Sequence, residues 1–470
     1  MSLRRILVAL PLSVALVMAV GVSPAWSTRE VAVVPVSADP YSDPGAQHAT
    51  EVEPDSFATD STVVSAFQVG RRAFPGGASN IGWATSTGAG RSFDHGFLPG
   101  ITKVAGGPYD LASDPVVAYD AAHRVWLISS LAGRASGVTY GDAILVNRSG
   151  DGLHWSDPVT VAQKGAGGLD KNWTVCDNHR QSPFFGHCYT EFDDFFAGDR
   201  LLVSTSTDGG RSWTAPAHPE GSGPGFAGQP VVQRDGTVVV PFLGFAGSPF
   251  SIGAFRSTDG GQTWSTPLTI SSAGYHHPPG LRADYPLPSA ETDRAGEVYV
   301  AWADCRFRQG CSSNDLVLSS SADGVSWSAP ARIPIDPADS GADHFIQGLA
   351  VDPHTAGSHA RLALTYYSYP NAACTVATCD LEVGFVSSRD AGVSWSAPMK
   401  LAGPMKLDWL ANAGTGRMVG DYISTSFMHG RALPFFAEAN PPSGGLFDEA
   451  IATVAGGLQV LGRTPIAQGH

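Results

Sequence analysis

Only 15% of this 470-residue chain is charged, and it contains no cluster of Lys and Arg. Nucleic-acid binding rests on grouped cations against phosphates, so that class of partner is excluded. The charge balance runs the other way, at −14 overall. Long helical periodicity is also missing, which excludes helical bundles and helical repeats. Beyond the first two dozen residues there is no long apolar stretch, so nothing later reads as a bilayer-spanning helix. No cysteine lies near residues 25–27, which argues against a lipid anchor there.

What is abundant is Gly, with 55 copies, and Pro, with 34. Hydrophobic residues still reach 43%, so this is turn-rich β composition rather than disorder. Residues 1–27 read as a secretory leader. Arg4 and Arg5 precede an apolar run over 6–20, and small-x-small cleavage sites come after it at Ser23-Pro24-Ala25 and Ala25-Trp26-Ser27. Its removal takes the net charge to about −16. Six cysteines fall into local pairs: Cys176 with Cys188, Cys305 with Cys311, and Cys374 with Cys379. An even count in an exported chain predicts disulfides between sequence neighbours. The irregular spacings, with no accompanying His pair, do not suit a zinc site.

One short loop recurs six times. The pattern S-x-D-x-G-x-x-W fits Ser206-Asp208-Gly210-Trp213, Ser257-Asp259-Gly261-Trp264 and Ser388-Asp390-Gly392-Trp395. Looser copies end at Trp155 (Asp151, Gly152) and Trp327 (Asp323, Gly324), and a decayed one runs Ser86, Gly90, Phe93. The aromatics are spaced by 62, 58, 51, 63 and 68 residues. Repetition on this scale predicts an array of supersecondary units, one loop to each. In such a loop Ser and Asp bond nearby backbone N–H groups, Gly supplies positive φ, and Trp packs beneath the turn.

Each unit reads as four short strands with the loop between the third and fourth. In the second unit these are 114–119, 125–131, 143–146 and 159–162. In the fourth they are 229–233, 237–242, 252–256 and 268–270. A further unit without the loop comes after Trp395, giving seven. The expected fold is an all-β propeller of four-stranded antiparallel blades, seven favoured over six. Residues 28–50 read as an N-terminal arm, of which 31–36 can add a closing strand to the last blade, and 51–470 as a single domain.

These loops resemble the Asp-boxes, or bacterial neuraminidase repeats, of the sialidase superfamily. Thr50-Glu51-Val52-Glu53-Pro54, Phe67-Gln68-Val69-Gly70-Arg71, Asp170-Lys171-Asn172-Trp173, Trp302-Ala303-Asp304-Cys305-Arg306 and Gly420-Asp421-Tyr422 are similar to stretches of secreted bacterial sialidase-like proteins. The resemblance implies a propeller whose Asp-boxes lie opposite the active face. It also implies an exported exo-glycosidase acting on glycans, with exo-α-sialidase among the activities it allows. A non-catalytic glycan- or protein-binding propeller is the alternative. A monomer without cofactor or metal is the accompanying expectation.

Propeller topology then puts two loop sets on the active face. One precedes each first strand and carries Glu53, Asp114, Asp170, Lys171, Gln229, Ser289, Asp343, His344, Asp421 and Tyr422. The other joins second and third strands and carries Arg71, Arg72, Glu191, Asp193, Asp194, Asp304, Arg306, Arg308 and Tyr367. A sialidase needs three arginines on the substrate carboxylate, a tyrosine nucleophile with a carboxylate base, and an acid. By topology, Arg72, Arg306 and Arg417 are the candidate grip, Tyr422 with Glu191 the nucleophile and base, and Asp114 the acid. The family's Arg-Ile-Pro signature is absent; Arg71-Arg72-Ala73-Phe74-Pro75 stands roughly in its place. A polysaccharide-cleaving enzyme using two carboxylates, Glu191 with Asp304, is the further option.

Overall fold

The computed structural model describes residues 31–135, 141–165, 167–245 and 250–462. The leader expected over residues 1–27 lies outside them. The described chain is all-β, and its only helical segments are five three-residue 3₁₀ turns. No described helix is long and apolar enough to cross a membrane.

The strands fall into successive antiparallel groups. The first sheet holds Glu51–Thr59, Thr62–Arg71, Ala78–Ser86 and Asp94–Phe97. The second holds Leu111–Asp120, Val125–Gly133, Ala143–Ser149 and Val159–Gln163. A single pair, Ala78 opposite Ala112, joins these two. The third sheet is Leu169–Cys176, Cys188–Asp194 and Arg200–Ser206. The fourth is Val231–Val232, Val238–Gly244, Phe250–Ser257 and Leu268–Ala273, with Gly225–Phe226 also pairing to its second strand. The fifth is Ser289–Thr292, Val298–Asp304, Asp315–Ser321 and Ala331–Arg332. The sixth is Asp343–Val351, Leu362–Tyr369, Asp380–Ser388 and Met399–Lys406. The seventh is Ser424–Met428, Arg431–Ala439 and Glu449–Val454. Its outer strand is Val33–Pro35 from the arm, paired to Glu449–Val454.

The first strands of neighbouring sheets touch in sequence order, and that of the seventh touches that of the first. Among the described residues no hydrogen-bonded ladder closes this cycle. Side chains bridge neighbouring first strands instead. Asp55 accepts the Val117 N–H at 2.8 Å, and Asn172 donates to the Asp114 carbonyl at 3.1 Å. Gln229 accepts from Ala290 N at 2.8 Å, and Gln347 donates to the Leu287 carbonyl at 2.8 Å. Thr425 donates to the Gly348 carbonyl at 2.9 Å, and Ser424 accepts from Ser56 N at 3.0 Å. Between the sheets lie apolar layers built on side chains such as Phe67, Tyr189, Phe192, Trp302 and Phe345, all essentially buried.

The six repeated loops all leave the end of a third strand. After Ser257, its hydroxyl donates to Asp259 Oδ1 at 2.8 Å and accepts Gly261 N–H at 2.9 Å. Asp259 Oδ1 accepts the N–H groups of Gln262 and Thr263 at 3.0 and 2.9 Å. Trp264 is buried with its ring 5.4 Å from Phe255. In the looser copies the glycine comes one residue earlier, yet Ser149 and Ser321 still accept the N–H of Gly152 and Gly324 at 2.9 Å. The chemistry anticipated from sequence is therefore what holds these turns.

All three disulfides pair sequence neighbours as expected. Cys176 joins Cys188 across the first hairpin of the third sheet. Cys305 joins Cys311 in the loop between the second and third strands of the fifth sheet. Cys374 joins Cys379 in the corresponding loop of the sixth sheet. Cys311 is itself left-handed, at φ 55°, where the loop turns back toward Asp315. Cys379 is buried at the foot of its loop, while Cys374 at the other end is half-buried. No described cysteine is free.

Hydrogen bonds from the Ser326 and Val325 N–H groups hold the Asp323 carboxyl down to about 2. An unfolded Asp titrates near 4. A depressed carboxyl stabilises the fold above the unfolded value, and that contribution is lost as pH falls through the folded one. Thermal unfolding between pH 5 and 2 should show a midpoint that drops with acid. Asp323→Asn should be less stable than wild type at pH 5, with the gap closing toward pH 2; a gap independent of pH would contradict the assignment.

Candidate functional site

The first strands do not start regularly. The ladder slips between Val52 and Asp55, Ser113 and Val116, Asp170 and Trp173, and Phe345 and Gln347. At each slip one non-glycine residue is left-handed: Glu53 (φ 60°), Asp114 (48°), Lys171 (51°) and Ile346 (47°). Ala227 (52°) stands in the same place ahead of the fourth sheet. Such conformations cost of order 1 kcal/mol or more and concentrate where function or a special contact requires them. Here bulges re-aim side chains toward the middle of the cycle.

Three of those side chains meet. The Lys171 ammonium, 5% exposed, lies 3.5 Å from Glu53 Oε1 and 3.2 Å from Asp114 Oδ1. It also lies 3.4 Å from Asp421 Oδ2, and 4.3 Å above the Tyr422 ring. Asp421 accepts from Arg282 Nη1 at 2.6 Å. Gln68 donates to Glu53 at 3.0 Å and accepts from Arg71 Nη1 at 2.8 Å. Tyr422 donates to the Pro115 carbonyl at 2.9 Å, with its ring edge-on to Trp173 at 5.2 Å.

Above this layer opens a cavity. Asp170, Asp421, Arg282, Asp284 and Tyr285 reach it from the polar side, and Phe226 and Phe245 wall it. Glu53, Asp114, Lys171 and Arg71 are nearly sealed beneath, whereas Asp170, Asp421 and Arg282 stay partly exposed to the cavity. Burial raises the Asp170 carboxyl, Asp114 adds to the rise, and Lys171 opposes it. Burial raises Glu53 likewise, against the pull of Lys171. For Asp421 the desolvation is outweighed by Arg282 and Lys171, which hold it below the usual carboxylate range. Burial together with the nearby Arg282 charge lowers Arg71 to about 10. Neighbouring carboxyls with opposite shifts are the arrangement that divides acid from base.

The predicted residues divide accordingly. Asp114 and Tyr422 come together at Lys171. Glu191 does not join them. It is buried against Gly228, where an added Cβ would lie 2.5 Å from the Glu191 carboxyl carbon. The carboxyl that bears most on Tyr422 is Glu53 instead. Burial and this carboxyl push the phenol well above its usual range. Arg72, Arg306 and Arg417 do not converge, and none lines the cavity. Arg72 pairs with Asp43 in the arm. Arg306 bonds Asp304 at 2.9 Å and Ser271 at 3.0 Å. Arg417 donates to the Leu410 carbonyl at 2.8 Å. Asp304 is consumed by Trp302, by the Arg306 backbone and by its side chain. Tyr367 is buried, with its hydroxyl on the Ala437 carbonyl. The cations at the cavity are Lys171, Arg71 and Arg282, and Arg282 is the residue that sequence reasoning missed. Leu281-Arg282-Ala283-Asp284-Tyr285 occupies the loop before the fifth sheet. Counting that loop from Ser289 hid it.

No family model matches the sequence, and no curated protein matches it. Solved structures do. Phage phi92 endosialidase is 10% identical with a TM-score of 0.52, over 94% of this chain and 71% of that one. An ulvan lyase of polysaccharide lyase family PL25 is 11% identical with a TM-score of 0.50, over 90% and 98%. A Hadza microbial sialidase is 16% identical with a TM-score of 0.43, over 76% and 68%. At these identities the likeness is one of fold.

Replacing Lys171 by Met should destabilise the protein by about 3–5 kcal/mol, because buried carboxylates lose their cation. Adding Glu53→Gln and Asp114→Asn should recover part of that loss. Denaturant titration of the three proteins measures it; equal stability of Lys171→Met and wild type would contradict the role given to the ammonium.

Proposed function

We propose that this chain is an exported, sialidase-like β-propeller of seven blades, residues 51–470 forming one domain, that cleaves glycosidic bonds in the central cavity. The cyclic contact of seven first strands and the closing strand from the arm support the blade count. Three disulfides fit an exported protein. Two fold neighbours with a TM-score of 0.50 or more carry names of glycan-cleaving enzymes.

One observation carries the reading. Asp170 and Asp421 reach the same cavity beside Arg282, and their surroundings push their protonation in opposite directions. Asp170 is suited to give a proton to the leaving glycosidic oxygen as the C–O bond breaks. Asp421 stays anionic and stabilises the positive charge that develops on the sugar, or takes the proton of the attacking water. Arg282 presents donors to substrate oxygens while holding Asp421 in place. Glu53, Asp114 and Lys171 position this pair from below. Tyr422 packs against Lys171 and fixes its height. A binding propeller without turnover is the second reading, favoured by the full internal pairing of Lys171.

Assay on a panel of fluorogenic glycosides, uronides and sialosides included, tests the proposal. Turnover of at least one substrate is expected, with Asp170→Asn and Asp421→Asn each lowering kcat by about 10²–10⁴-fold. Tyr422→Phe should keep turnover within about tenfold and lose about 1 kcal/mol of stability with its hydrogen bond. A folded Tyr422→Phe protein without activity would return the nucleophile to that tyrosine. Glycan binding without turnover would establish the binding module.

A further inference from the structure

Five aromatic side chains among the described residues are strongly exposed: Phe74 (69%), Phe196 (52%), Phe195 (42%), Tyr285 (42%) and Phe307 (40%). Scattered exposure of this kind is ordinary, but concentration is not. Phe74, Phe195 and Tyr285 all line the mouth of the central cavity, and Phe196 stands beside Phe195 at 5.6 Å. Only Phe307 lies elsewhere. The rings come from separate loops. Phe74 is in the loop joining the second and third strands of the first sheet. Phe195 comes directly after the second strand of the third sheet. Tyr285 precedes the fifth sheet and is braced by Phe245, Phe226 and Phe250 at 5.6, 5.8 and 5.8 Å.

Polar groups share this mouth with the rings. Asp170, Asp199, Arg282 and Asp284 lie along the same wall. Ring faces together with carboxylates and a guanidinium suit a sugar, which offers apolar C–H faces and a rim of hydroxyls. It does not suit a lipid surface, because seating acyl chains there would desolvate the carboxylates. A single pyranose has two faces and stacks on two rings at most. Three separate aromatic stations call for more than one sugar.

We propose that the mouth holds several consecutive units of one glycan chain, with Phe74, Phe195 and Tyr285 each stacking a unit other than the one cleaved over Asp170 and Asp421. This rests on the glycan reading above and narrows its substrate to an oligosaccharide or polysaccharide.

Phe74 and Tyr285 are exposed, so Phe74→Ala and Tyr285→Ala should fold; circular dichroism and thermal unfolding check this. The probe is an immobilised glycan array running from single sugars to octasaccharides of the same repeat. Wild-type binding should rise with chain length. Each variant should lose about tenfold in affinity for the longest glycans, the size of one stacking contact, and nothing for single sugars. Binding by wild type that is independent of length, or folded variants that bind long glycans like wild type, would overturn the inference and leave the glycan reading standing. Wild type that binds nothing on the array would overturn both.

Discussion

A buried ammonium sets the terms for the middle of this protein. Lys171 sits where water is nearly excluded, and an uncompensated charge there would cost several kcal/mol. Its partners come from three places: Glu53 on the first sheet, Asp114 on the second, and Asp421 ahead of the seventh. Bringing them within reach of one atom requires first strands that bulge inward, and the left-handed φ values of Glu53, Asp114 and Lys171 are the backbone cost of that. Once the carboxylates are gathered, Asp421 anchors Arg282, and the cavity acquires a charged floor.

The same residue type serves opposite purposes at the two ends of the strands. In the hairpin loops an aspartate accepts backbone N–H groups in the open and is held strongly acidic, as Asp323 is. Around the cavity, burial and neighbouring carboxyls raise Asp170, and only cations keep Asp421 ionised. The first arrangement fastens turns. The second stores protonation states that water would not maintain, which is what proton transfer at a glycosidic oxygen needs.

The fold was legible because its signals are local. Ser257, Asp259, Gly261 and Trp264 act within one turn, so their spacing alone predicts their contacts. Strand order could be read from those loops, and each disulfide joins cysteines close in sequence, Cys311 to Cys305 and Cys379 to Cys374 within a single loop. The site was legible only in part. Asp114, Lys171, Asp421 and Tyr422, which sequence put at the starts of blades, do meet, at bulges near the starts of first strands or just ahead of one. The arginines were not, since a side chain's partner across a cavity leaves no mark in its neighbours along the chain. Arg306 found Asp304 two residues away, and Arg72 found Asp43 in the arm. The bulges did leave a trace: Glu53-Pro54, Asp114-Pro115 and Lys171-Asn172 recur at about the unit spacing. Proline after the left-handed residue removes a donor that the slipped ladder does not use.

The most direct test is a crystal structure of the protein soaked with an oligosaccharide it binds. One sugar ring is expected in the central cavity, its hydroxyls within hydrogen-bond distance of Arg282 and Asp421, and a glycosidic oxygen near Asp170. A glycan bound on the outer strands or at the hairpin loops, with the central cavity holding only water, would contradict this.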